Sequence, residues 1–508
     1  MRTEEQNGGV RSASRIIARI FLGLGVLLLA LYGLAWFSSL RPESMLGAYL
    51  PRLERLPGFA VGDSLKDLKL SEEQVAMLSH LDSVVPALEV AVEQPHIEVD
   101  STERPPVVPQ LPEGVPCVAL EYDDSKPSPL QAFYEKLYTG KAERGQVRIL
   151  HFGDSQIEGD RITSYLRSRL QREFGGTGVG LVSAVQKGYP PYGLTITASP
   201  GWTLQSLMPA TARKKRERYG IVGNVCHFGQ RMHNDSLGEV YVGTLDISRK
   251  LSAGMGMRFS RCRVFARCDS SLMHVSMLHG DSVAAVQRVG STPDVEDVQM
   301  VVPMDLKEFK LQFLSEMPAS VYGLSLESPT GVQVDNIPLR GSSGMDFTAM
   351  DSATLSGLLS FLKPSLVLLQ FGVNVVPGKV ESYGFYTAGL VKQINYLKRL
   401  LPRVPIVLIG VSDMGEKVGE FFRSYSNIPQ VQAAQQRAAR RTGVAYWDCR
   451  AAMGGENSIL AWVRATPPLA TADYVHFTPR GARYVGEMLY ASLMADYAAY
   501  VKSMEEGR

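Results

Sequence analysis

The chain has 508 residues, 45% hydrophobic and 20% charged, so it can form two or three domains with substantial cores. Its 53 basic residues nearly balance its 51 acidic ones, which leaves no strong positive field for a nucleic acid, and no nucleic-acid-binding motif occurs. The five cysteines form no Cys-x-x-Cys pair and the histidines are scattered, so no metal site is indicated and no disulfide can be assigned.

An uncharged apolar segment lies close to the N-terminus. Residues 20–37 carry no charge, the run stays uncharged to Leu40, and a helix of this length can cross a hydrocarbon core of about 30 Å. The arginines that precede it favour a cytoplasmic N-terminus and an exported remainder: Arg2, Arg11, Arg15 and Arg19. The pattern predicts a cytoplasmic segment at 1–19 and a transmembrane anchor at 20–40. A cleaved signal peptide is the alternative, although its apolar region is usually only about 7–15 residues long.

A proline-rich stretch follows the apolar segment. Residues 41–128 are predicted to form a stalk or linker, because recurring prolines break any long element: Pro86, Pro95, Pro105, Pro106, Pro109, Pro112 and Pro116. A helix is predicted at about 129–139, and it opens the first part of an α/β domain over 129–194.

The most informative motif lies within this first part. An apolar strand is predicted at Val147–Phe152, a helix at Ile162–Leu170, and between them the chain reads Gly-Asp-Ser-Gln with Ser155 on the turn. A serine on a strand-to-helix turn sits at the carboxyl edge of a sheet, where α/β folds bind ligands, and close to amides that open a helix. Ser155 is therefore well placed for nucleophilic attack, the alternative being a Gly-Asp-Ser that occurs by chance in a loop. The motif differs from the Gly-x-Ser-x-Gly elbow of α/β-hydrolases.

The pattern changes between residues 195 and 334. Short alternating or β-branched runs are separated by turn residues, and long helical periodicity is missing. This predicts an inserted antiparallel β-sandwich of roughly 130–140 residues. Trp202 and Tyr241 are expected to be buried in the core of the sandwich, the alternative being that their rings stack on a ligand.

Strand and helix alternate again over 335–508. Continuous apolar strands separated by helices predict a mostly parallel sheet covered on both faces, so the insertion interrupts one α/β domain. Helices are predicted at 349–362, 386–401, 428–442 and 479–500, and strands at 365–371, 405–411 and 444–448.

Three further sites fall at ends of predicted elements. Gly341 lies in the segment after the insertion and can bring a backbone N–H close to a substrate oxygen; the alternative is an ordinary glycine turn. Asn374 follows a strongly apolar strand and can donate to an oxyanion, although asparagine also favours turns. Asp473 precedes His476 by three residues, close enough to hold the imidazole of a general base; the alternative for Asp473 is a helix cap.

The order Ser, Gly, Asn, Asp-x-x-His resembles the four sequence blocks of the SGNH, or GDSL, hydrolase superfamily over about 145–195 and 335–500. Within the superfamily, the chain resembles bacterial periplasmic peptidoglycan O-acetylesterase-like proteins. The resemblance implies a flavodoxin-like parallel sheet, with Ser155 as nucleophile, His476 as base and Asp473 as its orienting carboxylate. It also implies an oxyanion hole formed by the N–H groups of Ser155 and Gly341 and the side chain of Asn374, and it requires neither metal nor organic cofactor.

Two positions depart from the superfamily pattern. Gln156 stands where the name GDSL has leucine, and Val375 follows Asn374 where many members have an acidic residue. Neither change removes a group that two-step acyl transfer needs, but both weaken any inference about the substrate.

The resemblance implies an esterase that removes small acyl groups, in particular O-acetyl, from an envelope polysaccharide such as peptidoglycan. It implies a single-pass protein of the bacterial inner membrane with its catalytic domain in the periplasm, or a soluble periplasmic protein if the N-terminal segment is cleaved. Its partners would be the acylated polysaccharide and the membrane, with no nucleic acid. An acyltransferase on an envelope glycan and a non-catalytic glycan-binding scaffold are the alternatives.

Other residues have weaker interpretations. His151, inside an apolar strand, is interpreted as a core histidine. Trp447, Asp448 and the segment 453–458 could shape a groove for substrate, or form a packed loop. Asp413 could support the site or hold a turn.

Overall fold

The computed structural model describes residues 107–507 except 124, 141–144, 187, 215–216 and 235–237. The predicted cytoplasmic segment at 1–19, the predicted anchor at 20–40 and most of the predicted stalk lie outside the described residues. Within the described ranges, no helix is both long enough and apolar enough to span a membrane.

The helices and strands of the described residues are numbered here in chain order. The helices are α1 (Gln131–Tyr138), α2 (Thr163–Phe174), α3 (Ser352–Leu362), α4 (Gly384–Leu400), α5 (Ile428–Thr442), α6 (Cys449–Met453), α7 (Ser458–Arg464) and α8 (Pro479–Glu506). The strands are β1 (Gln146–Gly153), β2 (Gly180–Val182), β3 (Leu194–Ala198), β4 (Thr203–Ser206), β5 (Asn224–His227), β6 (Gln230–Asn234), β7 (Gly238–Arg249), β8 (Arg261–Arg267), β9 (Met273–His279), β10 (Ser282–Val289), β11 (Glu296–Val301), β12 (Glu308–Ser315), β13 (Ser320–Glu327), β14 (Gly331–Pro338), β15 (Pro364–Gln370), β16 (Ile406–Ile409), β17 (Gly415–Val418), β18 (Phe421–Ser424) and β19 (Ala445–Trp447).

A parallel sheet forms the centre of the α/β part, with strand order β14-β1-β15-β16-β19. Alternate residues of β1 enter opposite cores, because successive side chains of a strand point to opposite faces. Leu150 and Phe152 pack with α3, α4 and α5, whereas Val147 and Ile149 pack with α1, α2 and α8. Burial on both faces explains the continuous apolar strands, and the predicted mixed α/β class with a parallel sheet is confirmed.

Two antiparallel sheets are inserted between α2 and β14. One has the order β10-β9-β12-β7-β3 with β6 on β7, and the other has the order β11-β8-β13-β5-β4 with β2 on β13. A single apolar core lies between them, containing for example Leu245 and Val275 from the first sheet and Val264 and Leu324 from the second. The two sheets therefore pack as a sandwich, in agreement with the interpretation of this segment as β-rich.

The ends of the sandwich differ from the predicted range of 195–334. Its strands begin at Gly180–Val182 and finish at Ser320–Glu327, whereas Gly331–Pro338 pairs with β1 in the parallel sheet. In this strand, apolar residues alternate with Gln333 and Asp335. Such alternation is typical of an antiparallel strand with one solvent-exposed face. Both polar side chains are in fact buried in the described structure. The predicted boundary between Val334 and Asp335 therefore divides this strand, because the polar partner that allows Asp335 to be buried is distant in sequence.

That partner is Arg148, which is fully buried where the parallel sheet meets the sandwich. Its guanidinium donates to Asp335 of β14 at 2.7 Å and also bonds Glu327 of β13. Burial raises the pKa of Glu327, but Arg148, Arg263 and Arg261 outweigh it and bring that pKa down to about 2. A carboxylate with a depressed pKa stabilises the folded state above its unfolded pKa of about 4.5, and this contribution disappears as the pH falls from there towards 2.

We expect Arg148→Met to lower the free energy of unfolding by about 3–5 kcal/mol, because it leaves two buried carboxylates without their shared cation. Urea unfolding at pH 7 measures the change, and the deficit should shrink as the pH is lowered below about 4.5. Arg231→Met is the matched control: Arg231 pairs with Glu239 while its side chain is 63% exposed, so its loss should cost no more than about 1 kcal/mol. Equal effects of the two substitutions would contradict a stabilising role for the buried cluster.

Candidate active site

The turn that carries Ser155 leaves the end of β1. Gly153 is needed there because a Cβ would stand 3.0 Å from the carbonyl oxygen of Gln370 and 3.0 Å from the side chain of Ile157. A short 3-10 helix, Glu158–Asp160, then leads towards α2. The guanidinium of Arg167 holds this connection with paired hydrogen bonds of 2.5 and 2.8 Å to the buried Asp160 carboxylate. The hydroxyl of Ser155 thus projects from a turn that is held on both sides.

Asp154 ties this turn to the end of β15. Its carboxylate is buried and accepts the backbone N–H of Gln156 at 3.0 Å. Burial raises the pKa of Asp154 to about 7, although the N–H groups of Gln156, Val373 and Gly372 favour the ionised form. The carboxyl therefore bonds both the serine turn and the segment that leads to Asn374.

The loop before α8 brings the predicted base to the serine. Ser155 Oγ lies 2.9 Å from His476 Nε2, although 321 positions separate them, and His476 Nδ1 lies 2.7 Å from Asp473 Oδ2. The other oxygen of Asp473 accepts the backbone N–H groups of Val475 and His476 at 2.9 and 3.0 Å and the hydroxyl of Thr471 at 2.6 Å. The distances expected between the three predicted side chains are thus observed.

Hydrogen bonding determines the charge of Asp473 and, through it, the tautomer of His476. Partial burial raises the pKa of Asp473, but the hydrogen bonds from Thr471, His476 and Val475 prevail and lower it to about 2. The carboxylate is therefore ionised at neutral pH and can only accept, which places the proton of neutral His476 on Nδ1. Nε2 then presents a lone pair to the serine hydroxyl, as a general base requires.

A hairpin that the sequence did not predict supports the base loop. Strands β17 and β18 pair in antiparallel, and the N–H of Gly415 donates to the carbonyl of Tyr474 at 2.8 Å. The ring of Phe422 stacks on Tyr474 with centroids 3.9 Å apart. Tyr474 itself has a φ of +58°, and this left-handed turn lets Asp473 curl beneath the imidazole.

Two side chains near the nucleophile bind the backbone on either side of His476. Gln156 Nε2 donates to the carbonyl of Val475 at 2.7 Å, and Arg161 Nη1 donates to the carbonyl of Phe477 at 3.0 Å. Arg161 also donates to the carbonyl of Ser155 at 2.6 Å, so one guanidinium joins the nucleophile turn to the base loop. Sequence reasoning treated Gln156 only as a departure from the pattern and missed Arg161. Backbone acceptors more than 300 positions away leave no signal in a single sequence.

We expect Arg161→Met to lower kcat on a small acetyl ester about 10- to 100-fold with little change in KM, since a misplaced base affects proton transfer rather than binding. Arg161→Lys should recover only part of the loss, because the three donors of an ammonium share one nitrogen and cannot reach carbonyls as far apart as those that the guanidinium bonds. Arg169→Met, in α2, is the control. The side chain of Arg169 pairs with Glu173 and is 20% exposed. A fall in kcat no larger than that of the control would refute this positioning role.

The two remaining predicted residues lie together beside the end of β1. The N–H of Leu339 donates to the carbonyl of Gly153 at 2.7 Å, which fastens the loop containing Gly341 to the serine turn. Gly341 has a φ of +85°, which favours glycine. Asn374 Nδ2 donates to the carbonyl of Ser342 at 2.9 Å, and this bond uses one of its two amide hydrogens. The second hydrogen is available for a substrate oxygen, while the oxyanion role of both residues stays a prediction.

The weaker candidates have structural roles. His151 is a buried core histidine that bonds Gln370 at 3.0 Å and Thr163 at 2.9 Å, and burial lowers its pKa to about 4. Trp447 is fully buried with its indole N–H on Ser492, so it cannot line a groove. Asp448 caps α6, and the buried Asp413 accepts from Ser424 and Arg450.

The structure also gives the surroundings of the two aromatic candidates and the state of the cysteines. Trp202 packs its ring against Phe228 and Phe313 in the sandwich core, with centroids 5.5 and 5.3 Å apart, and Tyr241 packs against the same core. This is the burial that the sequence predicts for both residues. All the cysteines lie in the described residues, and each is a free thiol: Cys117, Cys226, Cys262, Cys268 and Cys449.

Known proteins resemble this chain in sequence and in fold. Residues 280–484 match the GDSL-like Lipase/Acylhydrolase family. A solved peptidoglycan O-acetylesterase is 22% identical and superposes with a TM-score of 0.58, covering 76% of this chain and 99% of that one. A GDSL-like lipase from Parabacteroides merdae is 16% identical (TM-score 0.26; 32% of this chain, 74% of that one), and an acetyl xylan esterase is 18% identical (TM-score 0.26; 32% and 81%). No curated protein matches.

In residues 280–484 this chain resembles the class of GDSL-like lipases and acylhydrolases. Within that class it resembles peptidoglycan O-acetylesterases, whose fold it shares. The matched range contains Gly341, Asn374, Asp473 and His476 but starts after Ser155. The sandwich explains this, because it separates the serine turn from the other three sequence blocks by more than 150 positions.

Proposed function

We propose that this protein is a serine esterase that removes small acyl groups, in particular O-acetyl, from an envelope polysaccharide such as peptidoglycan. The observation that carries the proposal is the continuous chain of hydrogen bonds from Ser155 through His476 to Asp473, at 2.9 and 2.7 Å. Such a chain activates a hydroxyl that would otherwise be a weak nucleophile at neutral pH.

The mechanism follows from this geometry. Ser155 Oγ attacks the ester carbonyl while His476 Nε2 takes its proton, and the negative charge develops on the carbonyl oxygen. The N–H groups of Ser155 and Gly341 and the amide of Asn374 stabilise that oxyanion. His476 then protonates the departing sugar oxygen, and a water activated by the same base releases the acyl group as a carboxylate and restores the serine.

Three observations support a polysaccharide as the carrier of the ester. The site is open: the side chains of His476 and Asp473 are 35% and 48% exposed, which suits a group displayed on a polymer. A β-sandwich interrupts the hydrolase domain between the nucleophile and the other three blocks. The solved protein that shares the fold is a peptidoglycan O-acetylesterase. We further propose that residues 20–40 anchor the protein in a bacterial inner membrane, with the hydrolase domain in the periplasm.

Acetate release from O-acetylated peptidoglycan by the purified chain tests the proposal. We expect release to exceed that from acetylated xylan and from lipid esters, and chemical de-O-acetylation of the peptidoglycan to abolish it. Acetate that appears on an added sugar acceptor instead of in solution would identify a transferase. Activity confined to lipid esters would refute the polysaccharide assignment, and no activity on any ester would refute the esterase itself.

A further inference from the structure

Two tyrosines protrude from the loop that connects β2 to β3. The segment Gly188–Gly193 reads Gly-Tyr-Pro-Pro-Tyr-Gly, and Tyr189 and Tyr192 are 76% and 75% exposed. Large aromatic rings are normally used to fill cores, so two rings left in solvent on one short loop have no evident packing role.

The loop lies directly against the nucleophile turn. An added Cβ at Gly159 would stand 3.1 Å from the Cβ of Tyr189, and one at Gly188 would stand 2.6 Å from the carboxylate of Glu158. The same turn carries Arg161, whose guanidinium donates to the carbonyl of Ser155 at 2.6 Å. The backbone of Tyr189 therefore packs on the serine turn while its ring remains in solvent.

The loop also reaches the other side of the site. Glu158, which contacts Gly188, pairs with Arg340 at 3.4 Å, and Arg340 precedes Gly341. Tyr189 thus lies beside the turn of Ser155, and the neighbouring Gly188 is connected through Glu158 to the loop predicted to hold the oxyanion.

The backbone of this loop is restrained. Pro190 and Pro191 fix two successive φ angles, and the flanking glycines turn with φ of +98° and +87°. The N–H of Leu194 closes the loop onto the carbonyl of Pro191 at 3.1 Å. Rings on a stiff loop lose little conformational entropy when a ligand binds, which favours a binding role over a flexible solvated loop.

We propose that Tyr189 and Tyr192 form a sugar-binding subsite, on which pyranose rings of the acylated glycan stack next to the ester being cleaved. This inference rests on the proposed function and adds the recognition of the carbohydrate chain to it. A tyrosine ring offers an apolar face to the C–H groups of a sugar and a hydroxyl to its oxygens, so it suits a ligand with alternating apolar faces and polar edges.

The test separates binding from chemistry. In the Ser155→Ala background, which cannot turn over, binding to insoluble O-acetylated peptidoglycan is measured by sedimentation. We expect Tyr189→Leu/Tyr192→Leu to weaken this binding about tenfold, since leucine keeps apolar area but removes the planar face. Tyr189→Trp/Tyr192→Trp should retain it. Phe421→Leu is the matched control: Phe421 is 80% exposed and lies on the face of its hairpin opposite Phe422, which stacks on Tyr474.

The same substitutions in the active chain give a second readout. We expect the leucine pair to lower kcat/KM on peptidoglycan relative to kcat/KM on p-nitrophenyl acetate about tenfold, through a higher KM on the polymer. Unchanged binding and an unchanged ratio would overturn the subsite while leaving the esterase intact, and so would an equal effect of Phe421→Leu. Absence of ester hydrolysis by the wild-type chain would instead overturn the proposed function, and the sedimentation assay would still report on the tyrosines.

Discussion

Ser155→Ala should reduce hydrolysis of a small acetyl ester by about 10⁴- to 10⁶-fold, the range seen when a triad nucleophile is removed. The substitution deletes one oxygen, whose hydrogen bond to His476 is only partly buried, so the thermal midpoint should change little. Initial rates of p-nitrophenol release from p-nitrophenyl acetate measure the first effect, and circular dichroism during heating measures the second.

Two further variants test the role of Ser155 more strictly. Ser164→Ala removes an exposed hydroxyl from the first turn of α2 and should leave the rate unchanged. The double variant Ser155→Ala/His476→Ala should be no slower than Ser155→Ala alone, because groups that act as one unit have non-additive effects. Wild-type turnover by Ser155→Ala would show that the ester chemistry lies elsewhere in the protein.

Asn374→Ala should lower kcat by about 10²- to 10³-fold, the usual effect of removing one oxyanion donor. The loss should appear equally in kcat and kcat/KM, since a bond formed only as charge develops leaves ground-state binding unchanged. Kinetics on a soluble acetyl ester check both numbers. Asn374→Gln, which keeps the amide but displaces it by one methylene, should not restore activity.

The bond from Asn374 to the carbonyl of Ser342 allows a different outcome. If this bond merely holds the loop, Asn374→Ala should lower the urea-unfolding midpoint and the activity together. A raised KM with unchanged kcat would instead assign Asn374 to substrate binding. Either result would remove Asn374 from the oxyanion hole.

The amino-acid sequence alone was enough for the α/β class and for the proximity of the candidate site residues. Strands buried on both faces have continuous apolar sequences, and β1 and β15 were predicted to within one or two residues. The carboxyl ends of parallel strands meet at one edge of the sheet, so Ser155 and Asn374 were expected to lie near each other. Asp473 and His476 share one turn, and their contact is a local property of the chain.

Contacts between residues that are distant in sequence became known only from the tertiary structure. Gly331–Pro338 joins the parallel sheet because its buried Asp335 meets the buried Arg148, a pairing that period-two alternation cannot reveal. Arg161 joins the nucleophile turn to the base loop through backbone carbonyls, which every residue carries and which therefore leave no trace in the sequence. The position of Tyr189 against Gly159 likewise depends on how the sandwich connects to the α/β domain. Periodicity and local motifs record which residues are buried and which lie on turns, but the partner of each buried charge and exposed ring is a property of the folded chain.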